Sequence, residues 1–312
     1  MKNTLYLLGL LCLLPLQANS EELNVLFIGN SYTARHNLAA VVKDMAEAGN
    51  PGLTFNTTSI IYGGRTLRDH WRLGTQNIVN QHSVTKETIE ATVKSLKEPS
   101  KDPKDKYAPA GLKRQSALLK TFKSNRDKWD IIILQSYRDD LNGEDSLYMQ
   151  YAPRYAVLAK AQGAQVILYA TTPTTQNAEP LKSAPDKKPI LNKSKSIAEL
   201  ANRIGADAAP MALVAHRSQT QRPDLTLRFI NDAHLNQTLS YMSACTLYAA
   251  IFDKSPQGLP INEMTDIRFL ENDRTKDRDG LPITKVFSKK DQADLQRISW
   301  EGYQEFQILR EK

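Results

Sequence analysis

In "NVLFIGNSYT", residues 24–33, an apolar run ends at Gly29 and the chain turns at once into Asn30, Ser31, Tyr32 and Thr33. A serine at that turn has two uses. It can cap the helix that follows, satisfying a backbone amide for about 1 kcal/mol, or it can attack an electrophile with helix N-terminal amides beside it. Attack needs a base to take the hydroxyl proton. Five histidines are available, His36, His70, His82, His216 and His234. His234 sits in "FINDAHLNQTLSYMSAC", a polar loop before an apolar helical run, with Asn231 and Asp232 close by. A nucleophile early in the chain and an acid with a base late in it is one order that catalytic triads adopt. Ser31 therefore reads either as a cap or as a nucleophile with His234 as its base.

These residues need elements that bring them together. "NVLFIG" (24–29) is a short apolar strand, and "NLAAVVKDMAEAGN" (37–50) has helical spacing at Leu38, Val41, Val42 and Met45. "LTFNTTSIIYGG" (53–64) reads as a second strand stopped by two glycines. "ALLKTFKSNRDKWDIIILQS" (117–136) reads as a helix entering a strand at 130–135, and "YAPRYAVLAKAQGAQVILYATTP" (151–173) repeats that grammar. A further helix and a short strand around 207–211 lie in "SKSIAELANRIGADAAPMALV" (194–214), and "NQTLSYMSACTLYAAIF" (236–252) is an apolar helix. Strands of this kind, apolar without alternation, imply an α/β three-layer fold with a central parallel sheet of about five strands. Such sheets bind ligands beyond the carboxyl ends of their strands. The loops after 29, 61, 135 and 171 are thus where chemistry is expected, and Ser31 lies on the first.

Composition narrows the function. Residues 1–20 have the charge, apolar core and small-residue ending of a secretory signal peptide, so a secreted or periplasmic location is expected, with residues 21–312 as one domain. Cleavage would remove Cys12 and leave Cys245, in an apolar helical run, as a buried hydrophobe with no disulfide partner. No later stretch is long and apolar enough to span a membrane. The net charge of +7 is diffuse, with 41 basic residues among 34 acidic ones, so no nucleic-acid partner is expected. The polar tract at about 76–116, densest in "SLKEPSKDPKDKYAPAGLKR" (95–114), reads as a solvated surface insertion near the rim. There is no phosphate-binding glycine loop and no His/Cys/Asp/Glu cluster at metal spacing, so neither a cofactor nor a metal is expected.

Four segments together resemble the SGNH (GDSL-like) hydrolases, in the branch whose first block reads Gly-Asn-Ser-Phe/Tyr-Thr. They are "IGNSYT" (28–33), "YGGRTLRDHW" (62–71), "WDIIILQSY" (129–137) and "NDAHLN" (231–236), in the family's order over most of the mature chain. The resemblance implies a flavodoxin-like sandwich. It also implies Ser31 as nucleophile, His234 as base, and an oxyanion hole from the Ser31 and Gly64 amides with Gln135. The block places Asp three residues before the histidine; here that residue is Asn231, and Asp232 stands two before, so Asp232 is the expected acid and Asn231 the alternative. Leu239 replaces a glycine usual after the histidine.

Around these, Asn30, His70 and Arg65 are candidate substrate contacts, although His70 reads equally well as a loop residue packed on Trp71. Asp139 and Asp140 read as caps or surface residues. The expected activity is hydrolysis of carboxylic esters, acetyl esters of carbohydrates among them, through an acyl-enzyme. An acyltransferase on the same site and a catalytically inactive carbohydrate-binding relative are the alternatives.

Overall fold

Side chains alternate across a strand, so a strand buried on both faces must divide its apolar residues between two cores. The computed structural model describes residues 21–98, 106–122, 127–137 and 146–311, and its central strands divide in this way. The chain begins with β1 (Glu21–Gly29), a single-turn helix α1 (Ser31–Ala34), α2 (Leu38–Gly49) and β2 (Leu53–Ile61). Four helices follow: α3 (Leu67–Arg72), α4 (Thr75–Val79), α5 (Lys86–Lys97) and α6 (Ala108–Lys120). Then come β3 (Ile131–Leu134), α7 (Leu147–Lys160), β4 (Gln165–Ala170), α8 (Lys188–Ile204) and β5 (Asp207–Pro210). The remainder is α9 (Met211–Gln221), α10 (Gln237–Phe252), a hairpin of β6 (Glu263–Thr265) and β7 (Thr284–Val286), and α11 (Lys289–Arg310).

The five long-range strands form one parallel sheet in the order β2-β1-β3-β4-β5. Val25, Phe27, Ile131, Ile133, Ile167 and Tyr169 face a core shared with α2, α10 and α11. Leu26, Ile28, Ile132, Leu134, Val166 and Leu168 face the other, shared with α7 and α8. This is the three-layer α/β fold with a five-stranded parallel sheet. Helix α10 packs between the sheet and α11, which explains why it is apolar all round. Its buried Ser243 and Thr246 hydroxyls donate to the carbonyls one turn back, of Leu239 and Met242, at 2.9 and 2.7 Å. Cys245 is buried there, and burial pushes its thiol pKa up, away from reactivity.

Two local readings change. The helix expected from residue 117 onward lies earlier, at Ala108–Lys120: Pro109 pre-sets its first turn, and Gly111 lets it pass close to the Leu73 carbonyl. Most of the described polar tract is therefore helical, with Ile89 of α5 and Leu118 of α6 in a small core with Val84. Leu239 fits as a core residue on α10, 1% exposed. The signal-peptide residues 1–20, residues 99–105 of the polar tract, and Asp139 with Asp140 lie outside the described residues.

β1 ends where it must pass under its own turn. A Cβ on Gly29 would stand 2.6 Å from Gln135 Oε1 and closer still to the Thr33 side chain. Both are buried and hydrogen-bonded to each other at 3.1 Å, so neither can retreat cheaply. Gly29→Ala is expected to cost about 1–3 kcal/mol of unfolding free energy, the usual range for overpacking. Urea titration of both proteins checks it, and an unchanged midpoint would contradict the tight packing.

Candidate active site

The β1–α1 turn answers which residue caps the helix. Asn30 does: its side chain accepts from the Tyr32 amide at 3.0 Å, and its carbonyl accepts from the amides of Thr33 and Ala34. Ser31, freed of that task, meets His234 Nε2 with its Oγ at 2.8 Å. On the other side of the ring, His234 Nδ1 is hydrogen-bonded to Asp232 Oδ1, which also accepts the His234 backbone amide at 3.1 Å. A carboxylate at Nδ1 fixes the proton there and leaves Nε2 as an acceptor for the Ser31 hydroxyl. Residues 203 positions apart are thus joined in a Ser–His–Asp line.

Asp232, not Asn231, stands against the imidazole. Asn231 is exposed, and its amide, with that of Ile230, donates to the Asp279 carboxylate at 2.9 and 2.8 Å. Asp232 Oδ2 accepts from Arg35 Nη1 at 2.9 Å. Burial alone would raise the Asp232 pKa, but the hydrogen bonds and charges of His234 and Arg35 outweigh it and hold the carboxyl at about 2. Arg35 in turn donates from Nε to Asp266 Oδ1 at 2.8 Å and from Nη2 to Asp266 Oδ2. Tyr32 completes the loop's support, its hydroxyl donating to the Ala233 carbonyl at 3.2 Å.

Two amides remain for an oxyanion. Among the described residues neither the Ser31 nor the Gly64 backbone N–H meets an acceptor, although their neighbours do. Gly64 has φ +67°, a left-handed value that suits glycine, and an added Cβ there would meet only Tyr137, at 4.0 Å. Gln135, expected as a third donor, is engaged elsewhere. Its Oε1 accepts from the Asn30 amide at 2.7 Å and from Thr33 Oγ1, while its Nε2 donates to the Ser136 carbonyl. The Asn30 amide needs an acceptor beneath the turn, and that need turns the Gln135 amide inward.

Of the candidate substrate contacts, Asn30 and His70 are bound into the structure beneath the turn. Asn30 is 1% exposed, and its Nδ2 donates to the Arg65 carbonyl at 3.3 Å. His70 is fully buried: Nε2 donates to the Gly29 carbonyl at 3.0 Å and Nδ1 faces Thr75 Oγ1 at 3.2 Å. Burial pushes the His70 pKa down to about 3, so the ring is neutral, and its aromatic neighbour is Tyr62. Arg65 is 8% exposed, with its guanidinium 5.3 Å from the Tyr107 ring centre. Sequence reasoning missed Arg35 and Asp266. Arg35 was within reach, since it lies four residues after Ser31, whereas "MTDIRF" around Asp266 offers no signal. Among the described residues, no group of three or more His, Cys, Asp or Glu is arranged to hold a metal ion, and no helix is long and apolar enough to cross a membrane.

No family model matches the chain, and no curated protein sequence matches it. Among solved structures it is similar to a candidate SGNH hydrolase from Slackia heliotrinireducens, at 18% identity and a TM-score of 0.44, over 74% of this chain and 100% of that one. A DUF4886 family protein from Bacteroides uniformis is similar at 17% identity and a TM-score of 0.49, over 90% of this chain and 94% of that one. A gut microbial diltiazem-metabolizing enzyme is similar at 13% identity and a TM-score of 0.38, over 75% of this chain and 47% of that one.

Burial of two histidines in the site's foundations has a pH signature. His36, like His70, is pushed down to about 3 by burial. Between the unfolded value of about 6.5 and that folded value, the unfolded chain binds the extra proton, so stability falls as pH falls. Each ring contributes a slope of about 1.4 kcal/mol per pH unit in that window. His70→Gln, whose amide can still donate to the Gly29 carbonyl, is expected to remove one such slope. Denaturant unfolding at pH 4, 5, 6 and 7 measures it, and parallel curves for variant and wild type would contradict it.

Proposed function

We propose that the protein is a serine hydrolase acting on carboxylic esters. One observation carries this reading: Ser31 Oγ, His234 Nε2, His234 Nδ1 and Asp232 Oδ1 form a continuous hydrogen-bonded line beside the unengaged Ser31 and Gly64 amides. In the reaction, His234 Nε2 takes the proton from Ser31 as Oγ bonds to the ester carbonyl carbon. The oxyanion that forms accepts from the Ser31 and Gly64 amides, where donors fixed in advance stabilise charge without reorganising. Asp232 stabilises the imidazolium. His234 then returns the proton to the departing alcohol oxygen as its bond to carbon breaks, leaving an acyl-Ser31 ester. Water, deprotonated by the same ring, attacks that ester, and His234 returns the proton to Ser31 Oγ as its bond to the acyl carbon breaks and the acid is released.

Hydrolysis is favoured over acyl transfer because the His234 side chain is 28% exposed, which leaves water access to the acyl-enzyme. The intact Ser–His–Asp line weighs against an inactive relative. Acetyl esters of carbohydrates suit the rim, where the exposed Tyr137 ring adjoins Gly64. Aromatic rings with polar tips present an apolar face and a hydrogen-bonding edge, which fits a sugar ring. The signal-like composition of residues 1–20 supports a secreted or periplasmic location for this activity.

Acetylated sugars and short-chain aryl acetates test the reading. Ser31→Ala is expected to lower kcat by several decades while moving Tm by only a few degrees, and a fluorophosphonate probe is expected to label Ser31 in the wild type alone. Asp232→Asn is expected to cost about 10⁴ in kcat, because an amide admits the wrong imidazole tautomer, whereas Asn231→Asp changes little. Near wild-type turnover in Ser31→Ala would overturn the assignment.

A further inference from the structure

Behind the site, one guanidinium serves two carboxylates. Arg35 is 2% exposed and holds Asp266, whose side chain is fully buried, through Nε and Nη2, while Nη1 holds Asp232 Oδ2 at 2.9 Å. The Phe229 ring lies 5.0 Å from the guanidinium carbon and shields one face. This cluster is costly. Desolvating three charges offsets much of their attraction, and an apolar replacement of similar volume often folds as well or better. The turn that directs Arg35 inward also holds His36 and Asn37 at φ +59° and +52°, left-handed values that His and Asn adopt more readily than most side chains.

The charges give a reason to keep it. An arginine alone beside Asp232 would fix that carboxylate but also cancel its charge, and with it most of the help given to an imidazolium. Asp266 restores the balance. With Asp266, Arg35 and Asp232 ionised, the cluster carries one net negative charge beside neutral His234, and it becomes neutral when the ring takes the Ser31 proton.

We propose that Arg35 and Asp266 are positioning residues of this site: Arg35 clamps Asp232 with Oδ1 toward His234 Nδ1, and Asp266 cancels the Arg35 charge so that Asp232 keeps its pull on the imidazolium. The proposal rests on the serine-hydrolase reading for its catalytic consequence, but its electrostatics can be read without turnover. Other groups face the cluster. Arg278 Nε lies 4.0 Å from Asp232 Oδ2, His36 Nε2 lies 3.8 Å from Asp266 Oδ1, and Asp279 holds the Ile230 and Asn231 amides. They stay in place in every variant, so differences between variants report on Arg35 and Asp266.

The test uses Asp266→Asn, the double variant Arg35→Met/Asp266→Asn, and Arg35→Lys. The His234 imidazole is titrated by NMR in a Ser31→Ala background, and kcat is measured against an aryl acetate with Ser31 present. Asp266→Asn leaves the Arg35 charge uncancelled, so the His234 titration midpoint is expected to fall by about half a pH unit or more. Adding Arg35→Met removes that charge, and the midpoint is expected to return toward wild type while kcat stays at least about tenfold down, because Asp232 has lost its clamp. Arg35→Lys keeps the charge without the planar fork, so kcat is expected to fall by a similar factor with the midpoint held. Midpoints within about 0.2 units in all proteins, with kcat falling only as Tm falls, would overturn the proposal and leave the cluster a packing feature. Should Asp266→Asn alone not fold, the other two variants decide: wild-type kcat in both overturns the clamp. Midpoints that move as expected in a protein that hydrolyses no ester and takes no fluorophosphonate would support the electrostatic arrangement and refute the hydrolase reading instead.

Discussion

The Asn30 amide donates to Gln135 Oε1 at 2.7 Å, across the end of β1 and beneath the first helical turn. Through that bond the carboxyl end of one strand is tied to the end of its neighbour, and the direction of the chain leaving Gly29 is set. Three further ties close the same corner: Asn30 caps α1, Thr33 Oγ1 shares the Gln135 acceptor, and His70 donates to the Gly29 carbonyl. All four side chains are at most 3% exposed. Buried polar groups are stable only when they are satisfied, so this network admits few arrangements. Ser31 stands on top of it, and its position is inherited from residues buried beneath the turn.

The second half of the site is anchored differently. The loop carrying Asp232 and His234 hangs from Asp279 by two backbone amides and touches the α1 turn through Tyr32 and Arg35. Its fixed contacts are thus to late parts of the chain on one side and to the Ser31 turn on the other. The Ser31–His234 bond alone would be a weak link, since two independent loops could drift apart by more than a hydrogen bond tolerates. Arg35 prevents this. It leaves the same turn as Ser31 and grips Asp232 rather than His234, so the turn and the loop are held at two points. Preorganisation of this kind is where most of a catalytic site's advantage arises.

What the sequence reveals follows the same division. Strand and helix periodicity report burial, and burial is what the β1, β3 and β4 runs and the apolar α10 encode, so the sheet and the placement of Ser31 at its edge were readable. Hydrogen-bond direction leaves no such trace. Gln135 was found correctly at the end of a buried strand, but whether its amide pointed up to an oxyanion or across to Asn30 depended on an acceptor that another strand needed. His70 and Asn30 were singled out by residue type and proved to be foundations for a similar reason. The shift of α6 to Ala108–Lys120 has a different origin: apolar residues at 117–119 fit a helix in either register, and the contact of Gly111 with Leu73, which chose between them, is tertiary.

Asp266 marks the far limit of what one chain can disclose. It lies 231 residues from Arg35, in a segment with no motif, and only the folded chain shows that the two meet. Once the fold buries Arg35, four positions after Ser31, its guanidinium cannot stay buried without a counter-charge. If its only partner were the acid beside His234, that acid would be spent on neutralising it. The fold supplies a second buried carboxylate from the β6–β7 region, outside the sheet that carries the rest of the site.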